Sequence, residues 1–118
     1  MKQYLRTVDE NTSMKIAIAQ LNPTVGDLAG NAALIEAAAA RAVADGADLL
    51  VTSELVISGY PPKDLLLREG FVNTCRRTVE ALAQKVAPEL GILVGHPDSN
   101  GVPERRIANN VSLLHGGK

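Results

Sequence analysis

Residues Asp48 to Asp64 read DLLVTSELVISGYPPKD, and the fold turns on how this stretch is parsed. Leu49, Leu50 and Val51 run without a polar interruption, the pattern of a buried strand. Glu54 then stands between that run and a second one, Leu55-Val56-Ile57, before the turn cluster Ser58-Gly59-Tyr60-Pro61-Pro62. An ionisable group between two apolar runs costs roughly several kcal/mol unless it is paired or used. In a parallel α/β sheet, functional side chains collect at the carboxyl ends of strands, where Glu54 falls. Residue chemistry alone leaves two readings open. Glu54 either pairs with a lysine or caps a nearby helix, or it performs chemistry.

Outward from this stretch the chain alternates strand and helix. Lys15 to Gln20, KIAIAQ, predicts a strand with Ile16 and Ile18 on one face and Ala17 and Ala19 on the other, both apolar, so burial on both sides is expected. Leu21 to Gly30 is a predicted loop, with Asn22-Pro23 and Gly26-Asp27 as turn dipeptides. A helix over Asn31 to Asp45 would bury Leu34, Ile35, Ala38 and Ala42, with Gly46 as its stop. The second strand covers Asp48 to Ser53. Asp64 can cap a short turn through Leu65, Leu66 and Leu67. A second helix over Glu69 to Val86 carries the stripe Val72, Cys75, Val79, Leu82, Ala83 and Val86, and Pro88 ends it. Gly91 to Gly95 predicts a third strand, His96 to Glu104 a polar loop, and Ile107 to His115 a fourth strand. Gly116-Gly117 is a hairpin signal.

The order β-α-β-α-β-β makes this an α/β domain whose first three strands are parallel. Consecutive right-handed crossovers in one direction place both helices on one face. The opposite face then exposes residues such as Val51 or Leu93, or is covered by something beyond Lys118. Residues 1–14 form a polar N-terminal extension, MKQYLRTVDENTSM, without the apolar core of a signal peptide, and Met14 is an alternative start.

Composition narrows the function classes. The 118 residues are 46% hydrophobic, 21% charged and 3% aromatic, so the core is built from Ala, Val, Leu and Ile. A net charge of −1 offers no basic surface, which argues against nucleic acid and anionic membranes as partners. No apolar run reaches the roughly 20 residues that span a bilayer. One cysteine cannot form an internal disulfide, which fits a reducing, cytoplasmic location.

Other candidates for chemistry have plainer explanations. Cys75 lies on an apolar helical stripe, where free cysteine packs as a small hydrophobe and burial raises its pKa. His96 and His115 lack partners at zinc-ligand spacing. GDLAG, at Gly26 to Gly30, follows a strand and precedes a helix but matches no phosphate-loop pattern, so it reads as a turn. Lys63 reads as solvated, and Arg105-Arg106 is too short a basic run for nucleic acid. No Ser-His-Asp arrangement emerges.

Four segments carry a resemblance: KIAIAQLNPTVGDLAGN at Lys15 to Asn31, GADLLVTSEL at Gly46 to Leu55, SGYPPKDLLLREGF at Ser58 to Phe71, and NNVSLLHGGK at Asn109 to Lys118. Together they resemble the start of a nitrilase-superfamily (carbon-nitrogen hydrolase) domain. The NPTVGD and GYPP-x-DLL pieces resemble, within it, the N-terminal glutaminase domain of the glutamine-dependent NAD synthetase branch. The resemblance implies part of an α-β-β-α sandwich, incomplete at its C-terminal end. It also implies a Glu-Lys-Cys triad in which a thiolate attacks the side-chain amide of glutamine. Glu54 matches the general base by motif, and Tyr60 falls where the family lines its glutamine pocket. In that branch the ammonia passes to a second domain, which uses ATP and Mg2+ to amidate nicotinic acid adenine dinucleotide. No cofactor is implied within this segment, residues 15–118. A homo-oligomeric full-length protein is implied as well.

Two departures from the family pattern stand out. Ser53 occupies the place before Glu54 where the family usually has proline, and serine leaves the backbone there less restricted. The family's lysine and cysteine lie beyond the HGGK hairpin, so Lys118 comes too early to be the triad lysine and Cys75 lies in the wrong context. These absences lead us to expect an N-terminal fragment that alone hydrolyses no glutamine. The alternatives are a piece of a stand-alone nitrilase-type amidohydrolase and a non-catalytic nitrilase-like half-domain. A flavodoxin-like nucleotide binder is disfavoured by the lack of a phosphate loop.

Overall fold

A computed structural model of the chain describes residues 14–99 and 107–118. Its elements are β1 (Ile16–Ile18), α1 (Leu28–Ala44), β2 (Leu49–Val51), a 3-10 turn (Lys63–Leu67), α2 (Phe71–Lys85), β3 (Gly91–Ser99) and β4 (Ile107–Leu114). They form an α/β fold around one open sheet of order β1-β2-β3-β4. The first three strands are parallel, and β4 returns antiparallel to β3.

The register explains the burial. Ala17, Leu50, Ile92 and Leu114 stand side by side across the sheet, and all are buried. They share one core with Ile35, Ala38 and Ala42 of α1 and Cys75, Val79 and Leu82 of α2. Both crossovers run in the same direction, so both helices cover this face, as the chain order predicts. Each fully buried Leu, Ile or Val contributes about 1.5–3 kcal/mol. The adjacent row, Ile18, Val51, Leu93 and Leu113, lies on the other face. There Val51 and Leu93 are half-buried, while Ile18, Val111 and Leu113 are exposed, so β1 is buried only on its alanine face, which the helices cover, and not on both sides as expected.

Several boundaries move from their sequence-based positions. Helix α1 starts three residues early, at Leu28, because Asp27 caps it: its Oδ1 accepts from the Gly30 amide at 3.0 Å. That carboxylate occupies the helix N-terminus, so GDLAG is a capping turn. Asn31 is an internal, buried residue, and Leu34 is only half-buried. At the other end Gly46 (φ +78) donates to Val43 O, and Ala47 donates to Ala42 O, a Schellman stop. Asp64 lies inside the 3-10 turn and makes no capping bond; Pro62 occupies the cap position. Helix α2 begins at Phe71 after Gly70 (φ +84), and Val72 and Val86 are half-buried ends of its stripe.

The largest correction concerns His96. The predicted polar loop begins instead as strand: β3 runs to Ser99, and His96 and Pro97 are buried. Pairing with β4 supplies the backbone partners that a loop would have sought in water. The imidazole is satisfied at both nitrogens, by Pro97 O (3.1 Å) and Ser112 Oγ (2.7 Å). The rest of that loop, with Arg105-Arg106, and the N-terminal residues 1–13 lie outside the described residues. Gly116 and Gly117 both have positive φ, and His115 and Lys118 exchange backbone hydrogen bonds around them, so the expected two-residue turn is formed.

Asn31 ties the two loops that flank the carboxyl ends of β1 and β2. Its Nδ2 donates to Thr24 O and Ile57 O, and its Oδ1 accepts from Thr24 N, each at 2.8 Å. Asn31→Ala leaves the Ile57 carbonyl buried without its donor. We expect a loss of about 2–3 kcal/mol in unfolding free energy, measured by urea denaturation.

Cys75 is fully buried, and burial, with a smaller contribution from the nearby Asp98 carboxylate, raises its thiol pKa from 9.0 to about 11. Above pH ~9 the unfolded chain ionises this thiol while the folded chain does not. Its stabilising contribution is therefore complete below that pH and lost as the pH rises toward about 11. Stability should fall more steeply over that window in the wild type than in Cys75→Ala, as denaturation curves at several pH values would show. Thiol reagents should label native Cys75 only as fast as the chain unfolds.

Candidate active site at the end of strand β2

Strand β2 ends because the chain turns, and the side chains decide which way. Thr52, just past β2, still ties to β3: both its amide (3.1 Å) and its hydroxyl (2.7 Å) donate to Leu93 O. The apolar run after Glu54 is not a second strand but a buried turn. Val56 and Ile57 have no exposed surface, and Leu55 has 8%. Ile57 N donates to Gly95 O at 3.2 Å, and Gly59 N returns to Leu55 O at 2.9 Å.

Leu55 takes the left-handed conformation, with φ +51. For a branched side chain this costs on the order of 1–2 kcal/mol, and the burial of its neighbours holds it there. Gly95 makes the turn possible. A Cβ at residue 95 would stand 2.6 Å from both Leu55 N and Ser53 O. The backbone of residues 53–55 thus rides directly on β3, where any side chain would lift it.

Glu54 is thrown outward by this turn and is exposed. Its Oε1 accepts a hydrogen bond from Asn109 Nδ2 at 2.5 Å. Asn109 lies opposite Pro97 on β4, on the same face as Val111 and Leu113. The carboxylate therefore belongs to the open face of the sheet. Neither plain alternative, a lysine partner or a helix cap, describes the bond it makes.

Tyr60 sits six residues on, 64% exposed, in a loop that is firmly held. Gly26 N donates to Ser58 O at 2.9 Å, and Gly59 (φ +79) packs so closely on Val25 that a Cβ would lie 2.6 Å from its Cα. Ser58, buried, turns its hydroxyl to the backbone oxygens of Leu55 and Gly59. The loop thus presents Glu54 and Tyr60 at its two ends. Ser53, exposed, contributes through its carbonyl against Gly95.

Cys75 is on the other side of the sheet, within the helical layer, so it cannot meet Glu54. The buried pair His96 and Ser112 also belongs to the helix side, beside α2. Among the described residues there is no group of three or more His, Cys, Asp or Glu side chains arranged to hold a metal. No helix among them is long and apolar enough to cross a membrane.

Chemically, this is a carboxylate one oxygen of which is engaged by a neutral donor, the Asn109 amide. Two contributors escaped the reading of the sequence. Gly95 looked like the end of a short strand, and Asn109 was one letter in a matched segment. A signal was present in Asn109-Asn110, since asparagine is a poor strand former and two in succession in a strand invite a reason.

Comparison with known proteins accords with this geometry. The chain is 45% identical over 107 residues to a glutamine-dependent NAD(+) synthetase of Synechocystis sp., a match covering 87% of this chain and 19% of that protein. It is 44% identical over 91 residues to the Thermotoga maritima protein of the same name, covering 74% of this chain and 15% of that one. The chain thus spans about a fifth or less of the curated relatives it matches. Among solved structures, the glutamine-dependent NAD(+) synthetase of Cytophaga hutchinsonii superposes with a TM-score of 0.79 at 25% identity, covering 90% of this chain and 18% of that one. An amidase from Nesterenkonia sp. superposes with a TM-score of 0.70 at 30% identity, covering 92% and 41%. Residues 15–111 match the carbon-nitrogen hydrolase family over most of the chain's length. The chain therefore belongs to the carbon-nitrogen hydrolase family and is related to the N-terminal glutaminase domain of glutamine-dependent NAD(+) synthetases.

Proposed function

We propose that this segment supplies the general base of a glutaminase site, in an enzyme that delivers the released ammonia to ATP-dependent amidation of nicotinic acid adenine dinucleotide. The observation that carries the proposal is the placement of Glu54. It ends a parallel strand, is projected by a buried turn, is held through one carboxylate oxygen, and lies on the face away from the helices. The similarity to NAD(+) synthetases supplies the substrate and the fate of the nitrogen.

The steps follow from the chemistry of amides. Glu54 removes the proton from a cysteine thiol supplied from outside residues 1–118. The thiolate attacks the side-chain amide carbon of glutamine, and a lysine, also from outside, stabilises the tetrahedral oxyanion. The C–N bond breaks, the proton held by Glu54 passes to the leaving nitrogen, and ammonia departs from a thioester. Water then attacks the thioester as Glu54 takes its proton, and glutamate leaves as the thiol re-forms. Tyr60, exposed at the far end of the same loop, lines the glutamine pocket. ATP and Mg2+ act in a separate synthetase domain, and no residue of this segment binds them. The assembled enzyme is a cytoplasmic homo-oligomer.

A second reading, an amidase acting on another amide, is favoured by the Nesterenkonia match, which covers more than twice the share of its partner that the synthetase matches do. One of that protein's structures shows covalent addition of the acetamide moiety of fluoroacetamide at its active-site cysteine. The nitrogen source discriminates between the readings. In the complete enzyme, Glu54→Gln should lower glutamine-dependent NAD synthesis about 10²- to 10⁴-fold and leave synthesis from free ammonia intact. Because Glu54 is exposed, the melting temperature should stay within about a degree or two. Near-normal glutamine-dependent activity would remove Glu54 from the mechanism. The 118-residue chain alone should release no ammonia from glutamine above a buffer control, since it holds the base without an accessible thiol.

A further inference from the structure

We propose that Asn109 is a positioning residue for Glu54, acting with the bare backbone of Gly95 as a two-point cradle that aims the carboxylate. The proposal rests on the reading of Glu54 as general base and assigns to that site two residues from strands β3 and β4.

The first point of the cradle is steric. The turn at residues 53–55 lies on Gly95 at a distance that admits no side chain: an added Cβ would stand 2.6 Å from two backbone atoms and 3.2 Å from the Glu54 carbonyl carbon. The Glu54 backbone is thereby fixed in height above the sheet. The second point is polar. Asn109 Nδ2 donates to Oε1 at 2.5 Å, so the side chain is fixed at its far end too. Val111, two residues along β4, pairs with Gly95, so both points of the cradle belong to neighbouring rows of one hairpin. A carboxylate held at backbone and tip has little rotamer freedom left. Positioning of this kind matters because proton transfer requires hydrogen-bond reach to the thiol.

The chemical type of the donor matters as much as its place. A lysine or arginine there would hold the carboxylate as a standing ion pair and compete with any proton it accepts. An amide carries no charge and does not titrate. It orients the carboxylate through Oε1 alone and permits Glu54 to cycle between its charged and protonated forms. Asn109 itself is exposed, so its side chain contributes little to the core.

The test is made in the complete enzyme with three substitutions at one place. Asn109→Asp keeps the shape and removes the donor, Asn109→Leu removes the polarity, and Asn109→Gln keeps a donor on a longer arm. For glutamine hydrolysis, kcat should fall about 10- to 100-fold in the Asp and Leu variants, the range for a lost hydrogen bond to a charged group. KM should change less than about threefold, and Gln should recover part of the loss. Gly95→Ala should give a similar loss of kcat, and adding Asn109→Leu to it should cost far less than the product of the two, since the carboxylate is already displaced. Wild-type kcat in Asn109→Asp, with Glu54→Gln inactive, overturns the cradle and spares the base. Activity in Glu54→Gln overturns both. A fall in ammonia-dependent synthesis or melting temperature parallel to the loss of glutaminase activity would mark a folding effect and also overturn the cradle.

Discussion

Burial of Val56 and Ile57 is the constraint on which the rest of the site depends. Two fully apolar side chains must leave water immediately after an exposed carboxylate. They can do so only if the chain reverses, and the reversal is the left-handed Leu55. The energy gained by burying the pair, about 3–6 kcal/mol at the usual rate, exceeds the order of 1–2 kcal/mol that Leu55 costs. The Glu54 backbone is thus placed by its neighbours' hydrophobicity, and its side chain is then held by the bond from Asn109.

The same turn knits the carboxyl ends of the strands together. Ile57 bonds to Gly95 of β3, Ser58 accepts from Gly26 after β1, and Asn31 of α1 reaches both loops. Parallel strands share no hairpin, so their loop ends need such cross-ties to sit at fixed distances. A site at this edge inherits its precision from the ties. At Ser53 the backbone is restrained by close packing on Gly95 rather than by the residue's own covalent geometry.

The sheet also sorts chemistry by residue parity. Even-numbered positions of β3 and β4 (Ile92, Val94, His96, Ser112, Leu114) face the helices. Odd-numbered ones (Leu93, Gly95, Asn109, Val111, Leu113) face the open side. Cys75 and the His96-Ser112 pair are therefore divided from Glu54 by the sheet itself. A cysteine that would tempt a reader of the sequence toward a complete triad is excluded by one layer of backbone. The exposed Ile18, Val111 and Leu113 give the open side of the sheet an apolar character.

Local pattern was enough for much of this. The β-α-β-α-β-β order, the parallel strands, helices on a single face, the Gly46 stop, the Gly116-Gly117 turn and the burial of Cys75 all follow from periodicity and turn chemistry over short windows. Glu54 stood out because charge interrupted apolar residues within one such window. What local pattern could not decide was any feature made by partners far apart in the chain. His96 reads as loop until β4 pairs with it 14 residues away, through Asn110. Asn31 reads as a helix start until Ile57 approaches it. Gly95 reads as a strand end until residues 53–55 settle on it, and Asn109 acquires meaning only when Glu54, 55 positions earlier, comes within hydrogen-bond distance. Side-chain periodicity records the environment of a residue's own element. The identity of a cross-strand neighbour depends on register, and register is a property of the assembled sheet.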